Sequence, residues 1–248
     1  MSKNINTILI TGATSGIGKS ILELLSSKGF SIVFTYYKRD KIANKLVKDL
    51  RKNNKNIFSY KINLERHENI DKLFNFTKKK LKKIDCLINN AAFFVQRKRF
   101  ETLPLNHVKQ LMNINYFAAF KLCQLFAISN QKNKNWKTII NISSTAAKYG
   151  GNEFTHYAPT KAAMENLTKG LSRELASKKI RVLNVAPGVI DTRNLQKKEK
   201  KSNLNKILSS IPNKRLGNSE EVANLVNYLI DDKSEYINGT TITISGGR

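Results

Sequence analysis

Thr11-Gly12-Ala13-Thr14-Ser15-Gly16-Ile17-Gly18 decides the fold. A short apolar run, residues 7–11, leads into it, and an amphipathic stretch, residues 16–28, leads out. Aliphatic and β-branched residues without alternation read as a strand buried on both faces, and the 3.6-residue period that follows reads as a helix. Glycines between them let the backbone turn sharply and come close to a phosphate. The free N–H groups at the helix start then offer donors and a partial positive charge. The spacing is G-x3-G-x-G, not the commoner G-x-G-x-x-G. A glycine-rich turn alone is weak evidence; its place between a strand and a helix is what points to a nucleotide.

The same alternation continues outward. Further strands are predicted at 31–36, 57–63, 85–89, 138–142, 181–186 and 241–244. Helices are predicted at 41–53, 69–81, 105–130, 157–177 and 219–230. In the last of these Ser219 is the expected cap, Glu220 and Glu221 oppose the positive helix end, and Val222, Leu225, Val226 and Leu229 make one apolar face. Strict βα alternation implies a parallel, doubly wound α/β sheet with right-handed crossovers. The loose polar stretch 193–205 is too short for a domain linker. The chain therefore reads as one domain, residues 1–248, with a flexible substrate-loop insertion at about 193–215.

Bulk numbers set limits. The 248 residues are 40% hydrophobic, enough for a large core. No run of eighteen apolar residues occurs, so no membrane span is expected. Ile8-Leu9-Ile10 is too short for a signal h-region, which leaves a cytoplasmic location as the expectation. Cys86 and Cys123 are expected as buried free thiols. His67, His107 and His156 are scattered, without metal-ligand spacing, so no metal is expected. Lys plus Arg total 44 against 18 acids, a net charge of +26. Such a balance raises a polyanion partner, but the lysines are spread along the chain and read as solvated helix faces. Nucleic acid is not the expected partner; the field still favours an anionic small-molecule substrate.

The second predicted strand ends Phe34-Thr35-Tyr36-Tyr37-Lys38-Arg39. NAD sites place an acid here for the ribose 2′-OH. None occurs before Asp40, which is expected to start the next helix. Lys38 and Arg39 suit a 2′-phosphate, with Tyr36 beside them. NADP(H) is therefore favoured, with NAD(H) possible if the two cations are ordinary surface charge.

Tyr157 and Lys161 stand four apart, on one helix face. Pro159 between them requires the first turn. A phenol with a pKa near ~10 is a poor acid–base catalyst at neutral pH; a neighbouring ammonium is expected to lower it. A Y-x-x-x-K pair alone is weak. Around it, however, stand Asn89-Asn90-Ala91, Asn115, Ile142-Ser143-Ser144, Pro187-Gly188 and Gly239 followed by Ser245-Gly246-Gly247. With these in order the chain resembles the classical short-chain dehydrogenase/reductase family over essentially its whole length.

The resemblance implies a Rossmann-type, seven-stranded parallel sheet of order 3-2-1-4-5-6-7 with helices on both faces. It implies hydride transfer between a nicotinamide and a carbonyl or alcohol. Tyr157 would move the substrate proton, and Lys161 would tune it and bind the nicotinamide ribose. Ser144 would hydrogen-bond the carbonyl oxygen, and Asn115 would support a water-linked proton relay. Ser143 is a neighbour that also reads as a strand-end polar group. The cofactor would lie against Gly12, Thr14, Ser15, Gly16, Ile17, Gly18, Tyr36, Lys38, Arg39, Asn63, Leu64, Asn90, Ala91, Tyr157, Lys161, Pro187, Gly188, Ile190 and Thr192. A homotetramer is implied, and the stretch 105–130 is apolar on more than one side. Two positions depart from the family: Ala92 replaces its usual glycine, and Asn63 stands where an acid is common.

The overall pattern resembles beta-ketoacyl carrier-protein reductases and sugar-type dehydrogenases. A 3-oxoacyl thioester is one candidate substrate, and a sugar or other secondary alcohol the alternative. A non-catalytic cofactor-binding or scaffold relative is the competing class, and the intact Asn115, Ser144, Tyr157 and Lys161 count against it. Substrate identity is expected to lie in 93–100, 146–154 and 193–206.

Overall fold

β1 (Thr7–Ile10) is buried along its whole length. Its side chains alternate: Ile8 and Ile10 belong to one apolar cluster and Leu9 to another, so the strand needs cover on both faces. In this computed structural model, which describes residues 5–94, 98–192 and 201–248, it lies inside the main sheet with a strand paired on either side. The other strands are β2 (Ser31–Tyr36), β3 (Ile57–Lys61), β4 (Cys86–Asn89), β5 (Lys137–Ile142) and β6 (Ile180–Pro187). A short pair, β7 (Ile190–Asp191) and β8 (Gly217–Asn218), stands apart, and β9 (Thr241–Ile244) completes the sheet. Every pairing is parallel and the order is β3-β2-β1-β4-β5-β6-β9, the seven-strand order expected. The order reverses between β1 and β4, and the crevice beyond the carboxyl ends of those strands is where such sheets bind ligands.

One face is covered by α1 (Gly16–Ser27), α2 (Asp40–Leu50) and the helix Ser219–Ile230. The other carries α3 (Ile70–Leu81), α4 (Leu105–Met112), α5 (Ala118–Ser129) and, after the short α6 (Ala146–Tyr149), α7 (Ala158–Glu174). Of the expected flexible insertion, residues 193–200 lie outside the described residues, and a helix occupies Lys201–Ser209.

Two expectations change, and one is qualified. The stretch 105–130 is not one regular helix: a π-helical turn, Asn113–Phe117, joins α4 to α5. Asn218, not Ser219, caps the last helix. Its N–H donates to Glu221 Oε2 at 2.7 Å, the reciprocal half of a capping box. Also, Leu105–Ser129 is long and apolar enough to cross a membrane by length and composition. Yet Lys109 and Lys121 interrupt it, and Leu122, Cys123 and Phe126 are buried against the sheet, as in a core helix.

Cys86 and Cys123 are free and buried. Asn89, Asn141 and Asn184 stand side by side on β4, β5 and β6, with Thr241 next to them on β9. Asn89 Nδ2 donates to Asn141 Oδ1 at 2.8 Å, Asn141 Nδ2 to Thr168 Oγ1 at 2.9 Å, and Asn184 Nδ2 to Ser143 Oγ at 2.6 Å.

Candidate active site

Pro159 lies in the first turn of α7, where its missing N–H costs no hydrogen bond. That start puts Tyr157 at the N-cap and Lys161 one turn later, beneath it. Lys161 is buried, its Nζ donating to Ile142 O at 2.8 Å and lying 5.7 Å from the centre of the Tyr157 ring. Ser144, just past the end of β5, shares a hydrogen bond with Tyr157, so two hydroxyls converge at one point. Burial pushes the Tyr157 phenol up, and only the Ser144 bond pulls it down. The expected lowering by Lys161 is absent from this arrangement, because its ammonium is turned to the Ile142 carbonyl under the ring. Burial brings Lys161 itself down to about 8.

Asn115 lies in the π-helical turn and is buried. Its Oδ1 accepts from Phe93 N at 2.7 Å, and its Nδ2 donates to Phe93 O at 3.1 Å and Thr160 Oγ1 at 3.2 Å. Thr160 Oγ1 donates to Tyr157 O at 2.8 Å, which ties Asn115 to the tyrosine backbone. A hollow of about 10 Å³ between Thr11, Asn89, Asn115 and Lys161 has room for one water molecule. The four expected catalytic residues are thus brought together. Ser143 is not among them: its Oγ donates to Glu165 Oε1 at 2.9 Å, inside the helix–sheet layer.

The glycine-rich turn follows β1, which β4 separates from β5 and this group. Gly12 has φ +68°, and a Cβ there would stand 2.8 Å from Ala91 Cα. A Cβ on Gly18 would collide with Asn90 Nδ2, which bridges Thr11 O and Gly12 O at 2.9 Å each. Thr14 is buried. Ser15, the N-cap of α1, makes no side-chain cap, and the first turn of α1 carries no acid. The N–H groups at Gly16, Ile17 and Gly18 are therefore left for an anion. Thr192 Cγ2 would be 3.2 Å from a Cβ on Gly16, so the segment after β6 reaches the same turn. Pro187 O accepts from Thr145 N at 3.0 Å, Gly188 N donates to Ile244 O at 2.9 Å, and Ile190 is buried in β7.

Ala91 N donates to Thr11 Oγ1 at 3.0 Å, and Leu64 is buried beside both in the hollow's wall. Ala92 is not among the residues with positive φ, so its extra methyl is unstrained. Asn63 Oδ1 accepts from Glu65 N at 3.0 Å, a local turn bond. At the end of β2, Tyr36 Oη lies 3.4 Å from Asp40 Oδ1, and Lys61 Nζ holds that carboxylate at 2.9 Å. The Lys61 bond keeps the Asp40 carboxyl below its ordinary value. Lys38 Nζ lies 5.3 Å over the Tyr37 ring. Among the described residues neither Lys38 nor Arg39 is in an ion pair, so the surplus charge at this end is theirs.

Sequence reasoning missed Thr160 and Lys61, and it named the stretches 93–100 and 146–154 without singling out the rings of Phe94 and Phe154 or their meeting at Tyr157. Thr160 lies inside Tyr157-Ala158-Pro159-Thr160-Lys161 and was open to notice. The others act across long sequence separations and leave no local signal.

The family described as "Enoyl-(Acyl carrier protein) reductase" matches residues 12–248. The 7alpha-hydroxysteroid dehydrogenase of Escherichia coli (strain K12) is 32% identical over 239 residues, covering 96% of this chain and 92% of its own. The 3-oxoacyl-[acyl-carrier-protein] reductase FabG of Thermotoga maritima is 33% identical over 244 residues, covering 96% of each. The chain belongs to the short-chain dehydrogenase/reductase family. This short-chain dehydrogenase/reductase is an NAD(P)-dependent oxidoreductase working between hydroxyl and keto groups. It is also similar to a blue fluorescent protein from a metagenomic library, solved in complex with NADPH. That structure is 26% identical with a TM-score of 0.91, and the match covers 100% of this chain and 99% of that one.

Proposed function

We propose that the protein reduces a carbonyl to a secondary alcohol, with NADP(H) favoured and NAD(H) also accepted, and that its substrate is a 3-oxoacyl thioester. The observation that carries this is the hydrogen bond between Ser144 and Tyr157 with Lys161 buried beneath the ring. Two hydroxyls meeting at one point suit a single oxygen that gains charge as it is reduced. Tyr157 gives its proton to that oxygen and Ser144 donates a second hydrogen bond. Lys161, brought down to about 8, supplies the next proton near neutral pH. Asn115 holds the wall of the hollow through which a water would link Lys161 to solvent.

The residues fit a dinucleotide. The uncapped start of α1 suits a pyrophosphate, and the space at Gly12 and Gly18 admits no side chain. Thr14, Ser15, Gly16 and Ile17 complete that cradle. Asn63, Leu64, Asn90 and Ala91 line the adenosine side, and Tyr157 and Lys161 the nicotinamide ribose. Pro187, Gly188, Ile190 and Thr192 line the carboxamide side, and Tyr36, Lys38 and Arg39 the 2′-phosphate. When bound, the nicotinamide supplies the hydride.

The chain acts as one domain, residues 1–248, with about 193–215 as its substrate loop. The +26 charge supports an anionic substrate. Exposed Phe117, Phe120 and Ile128 on α5 and the turn before it support a homotetramer. A cytoplasmic location fits the two free, buried cysteines. The 7alpha-hydroxysteroid dehydrogenase relative favours one second reading, an alicyclic secondary alcohol.

Tyr157→Phe tests the assignment. NADPH consumption on a panel of ketones and 3-oxoacyl thioesters should fall at least ~100-fold, with NADPH affinity within about twofold. A variant that kept more than a few per cent of the rate would overturn it.

A further inference from the structure

Phe94 meets Tyr157 edge-on, with ring centres 5.4 Å apart and planes at 81°. Phe154 lies 6.3 Å from the same ring, and the two phenylalanines stand 5.6 Å from each other. They come from different loops, one after β4 and one after α6. The backbone is shaped to bring them together. Gly151 has φ +134°, and a Cβ on it would stand 3.1 Å from the Phe154 ring. Glu153 has φ +61°, a conformation that a residue with a side chain keeps only where its surroundings impose it. Lys98 N donates to Glu153 O at 3.3 Å, a stitch between the loops. Asn115 grips Phe93 by both its N–H and its carbonyl, which fixes where Phe94 begins.

A cluster built only to pack would be buried, yet Phe94 is 48% exposed. Its apolar surface is held beside the reacting hydroxyl and left open. A hydroxylated substituent placed there would give up water for carbon atoms that return no hydrogen bond. An alkyl substituent would bury surface at no such cost.

We propose that Phe94 and Phe154 are specificity-determining residues that bind an alkyl substituent next to the reacting carbonyl. The enzyme thereby selects ketones with an apolar tail over polyhydroxylated ones. This rests on the carbonyl-reductase reading and narrows its substrate class.

The experiment uses the full chain, NADPH and a series of 3-oxoacyl thioesters of one short thiol with tails of one to five carbons. A keto-sugar and an alicyclic ketone are added. For the wild type, kcat/KM should rise about twofold to fourfold per methylene over the first few carbons, mainly through KM. Phe94→Ala and Phe154→Ala should each flatten that slope and leave the one-carbon member within about threefold. Phe154→Leu, which stays apolar, should keep most of the slope. NADPH affinity within twofold shows that each variant is folded.

A flat wild-type series, or a keto-sugar reduced as well as the longest tail, overturns the proposal. So does an equal loss across all substrates in the alanine variants, because the rings would then be positioning Tyr157. If no carbonyl compound is reduced at all, the underlying reading fails and this one falls with it.

Discussion

Asn115→Ala separates an anchor from a participant in the chemistry. The side chain makes three hydrogen bonds, to Phe93 N, Phe93 O and Thr160 Oγ1. A neutral hydrogen bond contributes about 0.5–1.5 kcal/mol net. Thr160 keeps its bond to Tyr157 O in the variant, and Phe93 is only half-buried, so water can reach its freed groups. The lost bonds then sum to about 2 kcal/mol, near the lower half of the range for three. For a chain of this size each kcal/mol moves Tm by roughly 2–4 °C, so a fall of about 4–8 °C is expected by calorimetry. Activity should fall too, because the loop bearing Phe94 loses its hold, and the loss should appear in KM for alkyl-tailed substrates as well as in kcat. A Tm within 1 °C of wild type with a large loss in kcat alone would refute this account. It would place the Asn115 side chain in proton transfer and not in anchoring the loop.

Carbonyl reduction should fall as pH rises through about 8, the value to which burial brings Lys161, because the pair must hold the proton it delivers. A profile of kcat/KM flat to pH 9.5 counts against that role. Replacing Lys38 and Arg39 together with alanine should shrink a preference for NADPH over NADH of roughly 10–100-fold, read as kcat/KM at matched salt, while the NADH rate barely changes. A wild type that uses NADH equally well removes the argument. Static light scattering should give about four times the 28.2 kDa chain mass, and Phe120→Asp should lower it; a wild-type monomer at micromolar concentration sinks the assembly.

The inner strands were legible as short runs of aliphatic and β-branched residues set by burial on both faces, and the half-buried β9 by its β-branched run alone. Residues 31–36 and 241–244 coincide with β2 and β9. The π-helical turn was not legible. Asn113-Ile114-Asn115-Tyr116-Phe117 has nothing locally to distinguish it from α-helix, and Asn115 bonds to residues far along the chain. The turn does not account for the apolar surplus, because α5 alone has Leu122 and Phe126 buried while Phe120 and Ile128 are exposed. The cap of the last helix was missed by one residue: Asn218 and Ser219 both suit an N-cap, and the glutamate three places later decides for Asn218. At the site, the spacing of Tyr157 and Lys161 was enough to stack them on one turn. It carried no information about where the ammonium would point, because the Ile142 carbonyl that takes it belongs to β5, outside the helix.

The row of asparagines across β4, β5 and β6 constrains how this sequence can drift. Each amide is buried, and Asn89 Nδ2 donates to Asn141 Oδ1 and to the weaker acceptor Cys123 Sγ at 3.3 Å. Sliding a strand along its neighbour by two residues would keep each side chain on its own face yet leave these amides facing aliphatic groups. The row thus acts as a vernier that favours one alignment through its amide N–H groups, although Asn89 Oδ1 and Asn184 Oδ1 find no hydrogen bond among the described residues. Exchanging Asn141 alone for leucine would leave the Asn89 amide only the weak Cys123 Sγ acceptor, so these positions are expected to change jointly.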